Sequence, residues 1–187
     1  MEKKELRKQQ IAKLQAYAET AEKKREDQLL LERLLNSDLL EGAEKIGVTS
    51  SLNFEVDTSR LIASLWDQGK EVFLARANSD RTMDFLAYNY NTKLKVSKFG
   101  VSEVADPQAQ IENDLDVLVV PGLAYDCTSH YRLGFGGGYY DRFLAKHQVK
   151  SLVLANSKMI YQKPVWPVEA FDMPINYLVT TEEIIGD

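Results

Sequence analysis

The segment Leu115-Asp116-Val117-Leu118-Val119-Val120 does most to narrow the folds open to this chain of 187 residues. Its last four residues are all apolar, and Pro121-Gly122 then ends the run. A strand with one wet face alternates apolar and polar residues. An unbroken apolar run is buried on both faces, as at the centre of a parallel sheet. Parallel neighbours need crossover connections, usually helices, so helical patterns should alternate with further strands.

They do. Leu6, Leu14, Tyr17, Ala18 and Ala21 recur at helical spacing and predict one amphipathic helix within residues 1–26. A second helical pattern runs through Leu29, Leu30, Arg33, Leu34 and Leu35, and residues 43–52 read as a strand running into a polar tip. Asp57 or Thr58 is placed to cap a helix with Leu61, Ile62, Leu65 and Trp66 on one face and Gly69 as its stop. Residues 71–75, 83–90, 151–155 and 177–180 supply further strands. The alternation predicts a three-layer α/β fold with a mainly parallel central sheet. No repeat, low-complexity stretch or linker divides the chain, so residues 1–187 are read as one domain.

Bulk composition excludes several function classes. The net charge of −5 and the lack of a basic, aromatic-interleaved stretch argue against a nucleic-acid partner. The longest apolar run, residues 117–124, is interrupted and too short to span a bilayer. One cysteine, Cys127, cannot form an intramolecular disulfide, and no signal-like apolar stretch comes after the N-terminal charges. A cytoplasmic, reducing location is expected.

Ligands of open parallel sheets sit beyond the carboxyl ends of the strands. The chain just past Val120 is therefore expected to carry the chemistry, and four of the ten glycines fall in Gly134–Gly138. Such a loop lets successive backbone N–H groups converge on an anion, and the helix opening at Tyr139 adds its positive end. Arg132 and Arg142 flank the glycines with forked donors suited to phosphate. A glycine-rich turn that only packs tightly between strand and helix is the other reading. Neither Gly-Lys-Ser/Thr nor G-x-G-x-x-G is present, because Tyr139 stands where the third glycine of the latter belongs.

The strings LDVLVVPGLAYD (residues 115–126) and YRLGFGGGYYDRFL (residues 131–144) resemble the signature of 5-formyltetrahydrofolate cyclo-ligases. Residues 3–7, 50–58 and 167–174 are similar to three further family segments in the same order. The resemblance implies a Rossmann-like three-layer sandwich and an ATP-dependent closure of 5-formyltetrahydrofolate to 5,10-methenyltetrahydrofolate. It implies ATP contacts from Lys3, Lys4, Arg7 and residues 132–140 (Arg132, Leu133, Gly134, Phe135, Gly136, Gly137, Gly138, Tyr139, Tyr140). Folate would meet Ser50, Glu55 and Phe135 through Tyr139. Asp141 and Asp172 would hold Mg²⁺, and Arg132 and Asp141 would be catalytic. ATP and the folate are the expected partners of a monomer. The family usually has arginine and glycine where Cys127 and His130 stand, and Asp126 is expected to orient that loop.

Rival readings stay in view. Lys3, Lys4 and Arg7 also fit a solvated helix face beside Glu2 and Glu5. Cys127 near His130 suggests a thiol hydrolase, but no nucleophile elbow surrounds it. A nucleotide- or folate-binding paralogue without turnover would keep the glycine loop.

Overall fold

The computed structural model describes residues 2–186; Met1 and Asp187 lie outside the described residues. In chain order the helices are α1 (Lys3–Ala18), α2 (Ala21–Leu35), α3 (Ser59–Asp67) and α4 (Tyr139–Lys146). The strands are β1 (Lys45–Val48), β2 (Glu71–Ala77), β3 (Met83–Tyr88), β4 (Leu94–Val96), β5 (Ser102–Val104), β6 (Val117–Val119), β7 (Ala124–Asp126) and β8 (Arg132–Leu133). They continue with β9 (Lys150–Ala155), β10 (Ile160–Tyr161), β11 (Tyr177–Thr180) and β12 (Ile184–Ile185).

Seven strands form the main sheet in the order β12-β11-β9-β6-β1-β2-β3. The five inner strands pair in parallel, and only the edge pairs β2–β3 and β11–β12 are antiparallel. All three residues of β6 are buried, so both faces of the sheet are covered at its centre. Helix α2 packs near β9 and β11, α3 near β2 and α4 near β3, where Phe143 meets Phe85 edge-on at 4.9 Å. The fold is mixed α/β with a mostly parallel sheet, as predicted. None of the described helices is long and apolar enough to cross a membrane.

Two boundaries differ from the pattern-based expectation. The single helix expected through Ala21 is broken at Glu19-Thr20, because Thr20 Oγ1 accepts a hydrogen bond from Lys23 N at 3.1 Å and caps a new helix. The apolar stripe continues through the break, so spacing alone does not reveal it. The strand predicted over residues 43–52 pairs only over Lys45–Val48. Beyond it Thr49 O accepts from Thr58 Oγ1, and Glu55 Oε2 accepts from Leu52 N at 2.6 Å, so side chains replace the ladder. The α3 cap is shared: Asp57 Oδ1 accepts from Ser59 N, Thr58 is the boundary residue, and Gly69 at φ +73° ends the turn.

Helix α1 is seated by Leu6, Leu14 and Tyr17 and by a buried glutamine. Gln10 Nε2 donates to Leu123 O and Lys158 O, both at 2.8 Å, while its Oε1 accepts from Tyr161 Oη. These bonds satisfy a buried amide and fix the helix's rotation against the sheet's C-terminal edge.

Gly47, in the central strand β1, has no room for a side chain. A Cβ there would fall 2.5 Å from Leu115 Cδ1, 3.0 Å from Leu118 Cδ1 and 3.2 Å from Phe85 Cδ1. Gly47→Val should lower the urea midpoint at unchanged slope, a loss of about 1–3 kcal/mol from overpacking.

Candidate active site

Strand β1 is followed along the chain by β2 on one side, whereas its other neighbour, β6, leads on to β9. The chain thus diverges beyond the C-terminal ends of β1 and β6, the position where open α/β sheets bind ligands. A cavity of about 540 Å³ opens there, with Thr49 and Pro121 from those two strand ends in its lining. The volume suits a small-molecule site.

The glycine loop forms one side of this cavity. Gly136 and Gly138 take φ of +102° and +66°, a backbone region that side chains rarely enter, and Gly138 opens α4. Arg7 Nε donates to Gly134 O at 2.8 Å, which brings α1 onto the loop. Arg132, almost fully buried, pairs through Nη2 with Asp141 Oδ2 at 3.0 Å and lies over the Tyr140 ring. Its Nε is buried without a partner, so the guanidinium retains donor capacity beside the loop.

A second wall comes from residues 162–176, which carry no helix or strand between β10 and β11. Glu169, Phe171 and Asp172 from this segment line the cavity. Lys3 Nζ donates to Asp172 Oδ2 at 2.6 Å and to Glu169 Oε2 at 2.7 Å. Partial burial pulls the Lys3 ammonium down, but hydrogen bonds and charge from Asp172 and Glu169 outweigh it, and its pKa is raised. Met173 N donates to Asp141 Oδ1 at 3.2 Å, tying the segment to α4.

Glu55 also lines the cavity and is 6% exposed. Burial pushes its carboxyl up to about 7, against the lowering effects of Leu52 N and the Lys23 ammonium. Phe135, which packs 6.4 Å from Phe54, is exposed at the rim, and Tyr139 meets Phe99 edge-on.

The structure gathers Lys3, Arg7, Glu55, Arg132, residues 134–141 and Asp172 around one space. Four expected contacts lie elsewhere. Lys4 shares an open groove outside the cavity with Arg7 and Lys8, because it is one position, roughly a hundred-degree step, round the helix from Lys3. Ser50 lines no part of the cavity; its neighbour Thr49 faces inward, and alternation in extended chain turns Ser50 away. Leu133 is fully buried in β8, leaving only its main chain for a ligand. Arg142, expected to grip phosphate, instead donates to Gly137 O at 2.8 Å and braces the loop from outside. Arg7 is the second guanidinium in the cavity.

Phe99, Val101 and Glu103 reach the cavity from the β4–β5 hairpin and are absent from the residues the sequence points to. That hairpin has short strands and a Lys/Ser-rich tip, so nothing in its pattern marks it. Glu169 and Phe171 are within reach of sequence reasoning, since they share the segment that carries Asp172.

The carboxylates Asp141 and Asp172 offer hard oxygen donors suited to Mg²⁺. Among the described residues no three acidic, histidine or cysteine side chains converge into a complete metal cage. Such a pair suits an ion that takes its remaining ligands from phosphate and water. On that wall Asp141 pairs with Arg132, and Glu169 and Asp172 share Lys3.

Cys127 offers no nucleophile: burial pushes its thiol up, with Asp126 and Glu183 adding to the effect, opposite to what a reactive thiolate needs. Cys127→Ser should leave turnover within about twofold of wild type, since only a thiol attack would need the sulfur. Glu55 supplies a pH test. Its folded pKa lies above the ordinary 4.5, so the folded state binds the extra proton and loses stability as pH rises from 4.5 through 7. Glu55→Gln should therefore gain about 2–3 kcal/mol relative to wild type between pH 5 and 8, read from urea unfolding at each pH.

Known proteins match along most of the chain. The profile of the 5-formyltetrahydrofolate cyclo-ligase family matches residues 1–181. The 5-formyltetrahydrofolate cyclo-ligase of Haemophilus influenzae is 31% identical over 174 residues, covering 89% of this chain and 91% of the relative. The Escherichia coli K12 enzyme of the same name is 32% identical over 152 residues, covering 76% and 80%. The NMR structure of Aquifex aeolicus 5,10-methenyltetrahydrofolate synthetase superposes with a TM-score of 0.82 at 27% identity, covering 100% of this chain and 93% of that one. With the glycine loop, Arg7, Arg132 and Glu55 in one cavity, the chain belongs to the 5-formyltetrahydrofolate cyclo-ligase family.

Proposed function

We propose that this protein is an ATP- and Mg²⁺-dependent enzyme that closes 5-formyltetrahydrofolate to 5,10-methenyltetrahydrofolate, releasing ADP and phosphate. The observation that carries the reading is the make-up of the cavity lining. A glycine loop, the cations Lys3, Arg7 and Arg132 and a buried carboxylate, Glu55, surround one space. A phosphate-bearing substrate and one rich in N–H donors would meet there.

An N-formyl oxygen is an amide oxygen and a poor leaving group. Transfer of the γ-phosphoryl group to that oxygen, with ADP leaving, gives an imidate phosphate. The second folate nitrogen attacks its carbon, and inorganic phosphate departs as the ring closes. The protein's work is to align the formyl oxygen with the γ-phosphorus and balance the spreading negative charge.

Glu55, when ionised, accepts hydrogen bonds from the pterin's amino and ring N–H groups and so orients the formyl group. Backbone N–H groups of the glycine loop and the N-terminus of α4 hold the phosphates, with Lys3 and Arg7 closing from α1. Arg132 neutralises the transferring group. Asp141 and Asp172 would hold Mg²⁺, which would supply Lewis-acid charge neutralisation. Phe135 and Tyr139 present faces on which the folate rings stack. The protein works as a monomer in the cytoplasm.

Formation of methenyltetrahydrofolate, monitored by its ultraviolet absorbance with and without ATP and Mg²⁺, tests this. ATP binding without product would identify a non-catalytic binding paralogue instead. Arg132→Ala and Asp141→Ala should each lower kcat by roughly 10²–10³ with the far-ultraviolet spectrum unchanged, the usual loss when a charge-stabilising group goes. Wild-type kinetics in either folded variant would remove the site assignment.

A further inference from the structure

His130 is held in a backbone conformation that a side chain normally resists, and it is tied to a wall of the cavity. Its φ is +60°, in the left-handed region. Its own carbonyl accepts from Ile175 N at 3.0 Å, and its ring Nδ1 lies 3.1 Å from Ile175 O. A carbonyl only accepts, so Nδ1 carries the proton and the ring is a donor. One residue therefore grips both polar groups of another, and Ile175 is itself buried.

The turn that presents His130 is built for rigidity. Asp126 is fully buried; its carboxylate accepts from Thr128 N and from Ser129 N and Oγ, and its carbonyl accepts from His130 N. Two residues after His130 comes Arg132, which pairs with Asp141. Two and three residues before Ile175 come Met173, whose N–H meets Asp141, and Asp172, which meets Lys3. Strained backbone of this kind persists where the surroundings over-determine it, and it collects at ligand clamps.

We propose that His130 is a positioning residue. It latches residues 169–175, with Asp172, onto the turn that delivers Arg132, and so sets the phosphate side of the cavity before nucleotide arrives. The other anchors of this long irregular segment are the Lys3 pairs, the Met173–Asp141 bond, buried Trp166 and the Asn176–Ser151 bonds, and none of them ties it to the turn of residues 126–130. The kinetic part of the test rests on the cyclo-ligase reading; the exchange part does not.

Two variants separate latch from scaffold. His130→Gly keeps the turn without strain and removes the ring donor. His130→Asn tolerates the same φ and places an amide N–H where Nδ1 stood. Amide hydrogen exchange over residues 169–175, without ligand, should quicken about tenfold in His130→Gly while β9 keeps its protection. KM for ATP–Mg²⁺ should rise about tenfold with kcat within about twofold, and His130→Asn should restore both. Wild-type exchange and KM in His130→Gly would overturn the proposal, as would His130→Asn behaving like His130→Gly. If wild-type protein formed no methenyltetrahydrofolate, the functional reading would fail and the exchange data would still decide the latch.

Discussion

Adjacent parallel strands β1 and β6 send the chain to opposite sides of the sheet, β1 leading to β2 and β6 to β9. Neither chain can extend the hydrogen-bonded ladder past that divergence, so a gap opens at the strand ends whose backbone must find other partners. Thr49, Glu55 and the turn of Asp126 are the local answers: side chains take over where the ladder stops. Everything placed round the gap comes from elsewhere in the chain. Helix α1 arrives from the N-terminus through Gln10, the glycine loop comes after β8, and residues 162–176 return from the C-terminal side. The site is a convergence of distant segments on one topological feature.

The charges of this convergence satisfy one another. Lys3 is shared by Asp172 and Glu169, and Arg132 is engaged by Asp141. Pairs this close to burial are costly to break from one side and add little when intact, because desolvation offsets much of their attraction. Exchanging partners is far easier than losing one. Under the proposed reaction, a phosphate that took over Lys3 or Arg132 would free a carboxylate for an accompanying cation. The same pairs keep this wall in shape.

What could be read from sequence divides along local and long-range lines. The unbroken run Val117–Val120 announces a central parallel strand, and the glycines at 134–138 announce a tight loop opening a helix; both depend on neighbouring residues alone. Long-range pairing is out of reach. Arg142 and Arg7 are equally good phosphate ligands by residue type, yet helix rotation sends Arg142 to the outer side of the loop, and Gln10 brings Arg7 inward. Lys4 and Ser50 miss the cavity for the same kind of reason, one step of helix and one step of strand. Family likeness carries the pairing of Asp141 with Asp172 that spacing cannot. It also marks His130 as a departure, whose meaning emerges only with its positive φ and its grip on Ile175.

Glu55 shows why a stability ledger alone misreads such a site. A buried carboxylate has room for several donors, but Glu55 accepts one bond, from Leu52 N. The nearest balancing charge, Lys23, is committed to Asp27, whose Oδ2 also accepts from Asp57 N on the segment carrying Glu55. The glutamate is therefore held in place from behind with a single donor of its own, and burial keeps its pKa raised. For the fold this is a loss, since glutamine or an apolar residue would sit there more comfortably. The loss is recovered only when something with N–H groups at the right spacing enters the cavity. A flat heterocycle with an amino group beside a ring N–H meets that demand, and a phosphate, lacking donors, does not. The cavity lining thus holds both donors, from Lys3, Arg7 and Arg132, and an acceptor short of partners, Glu55.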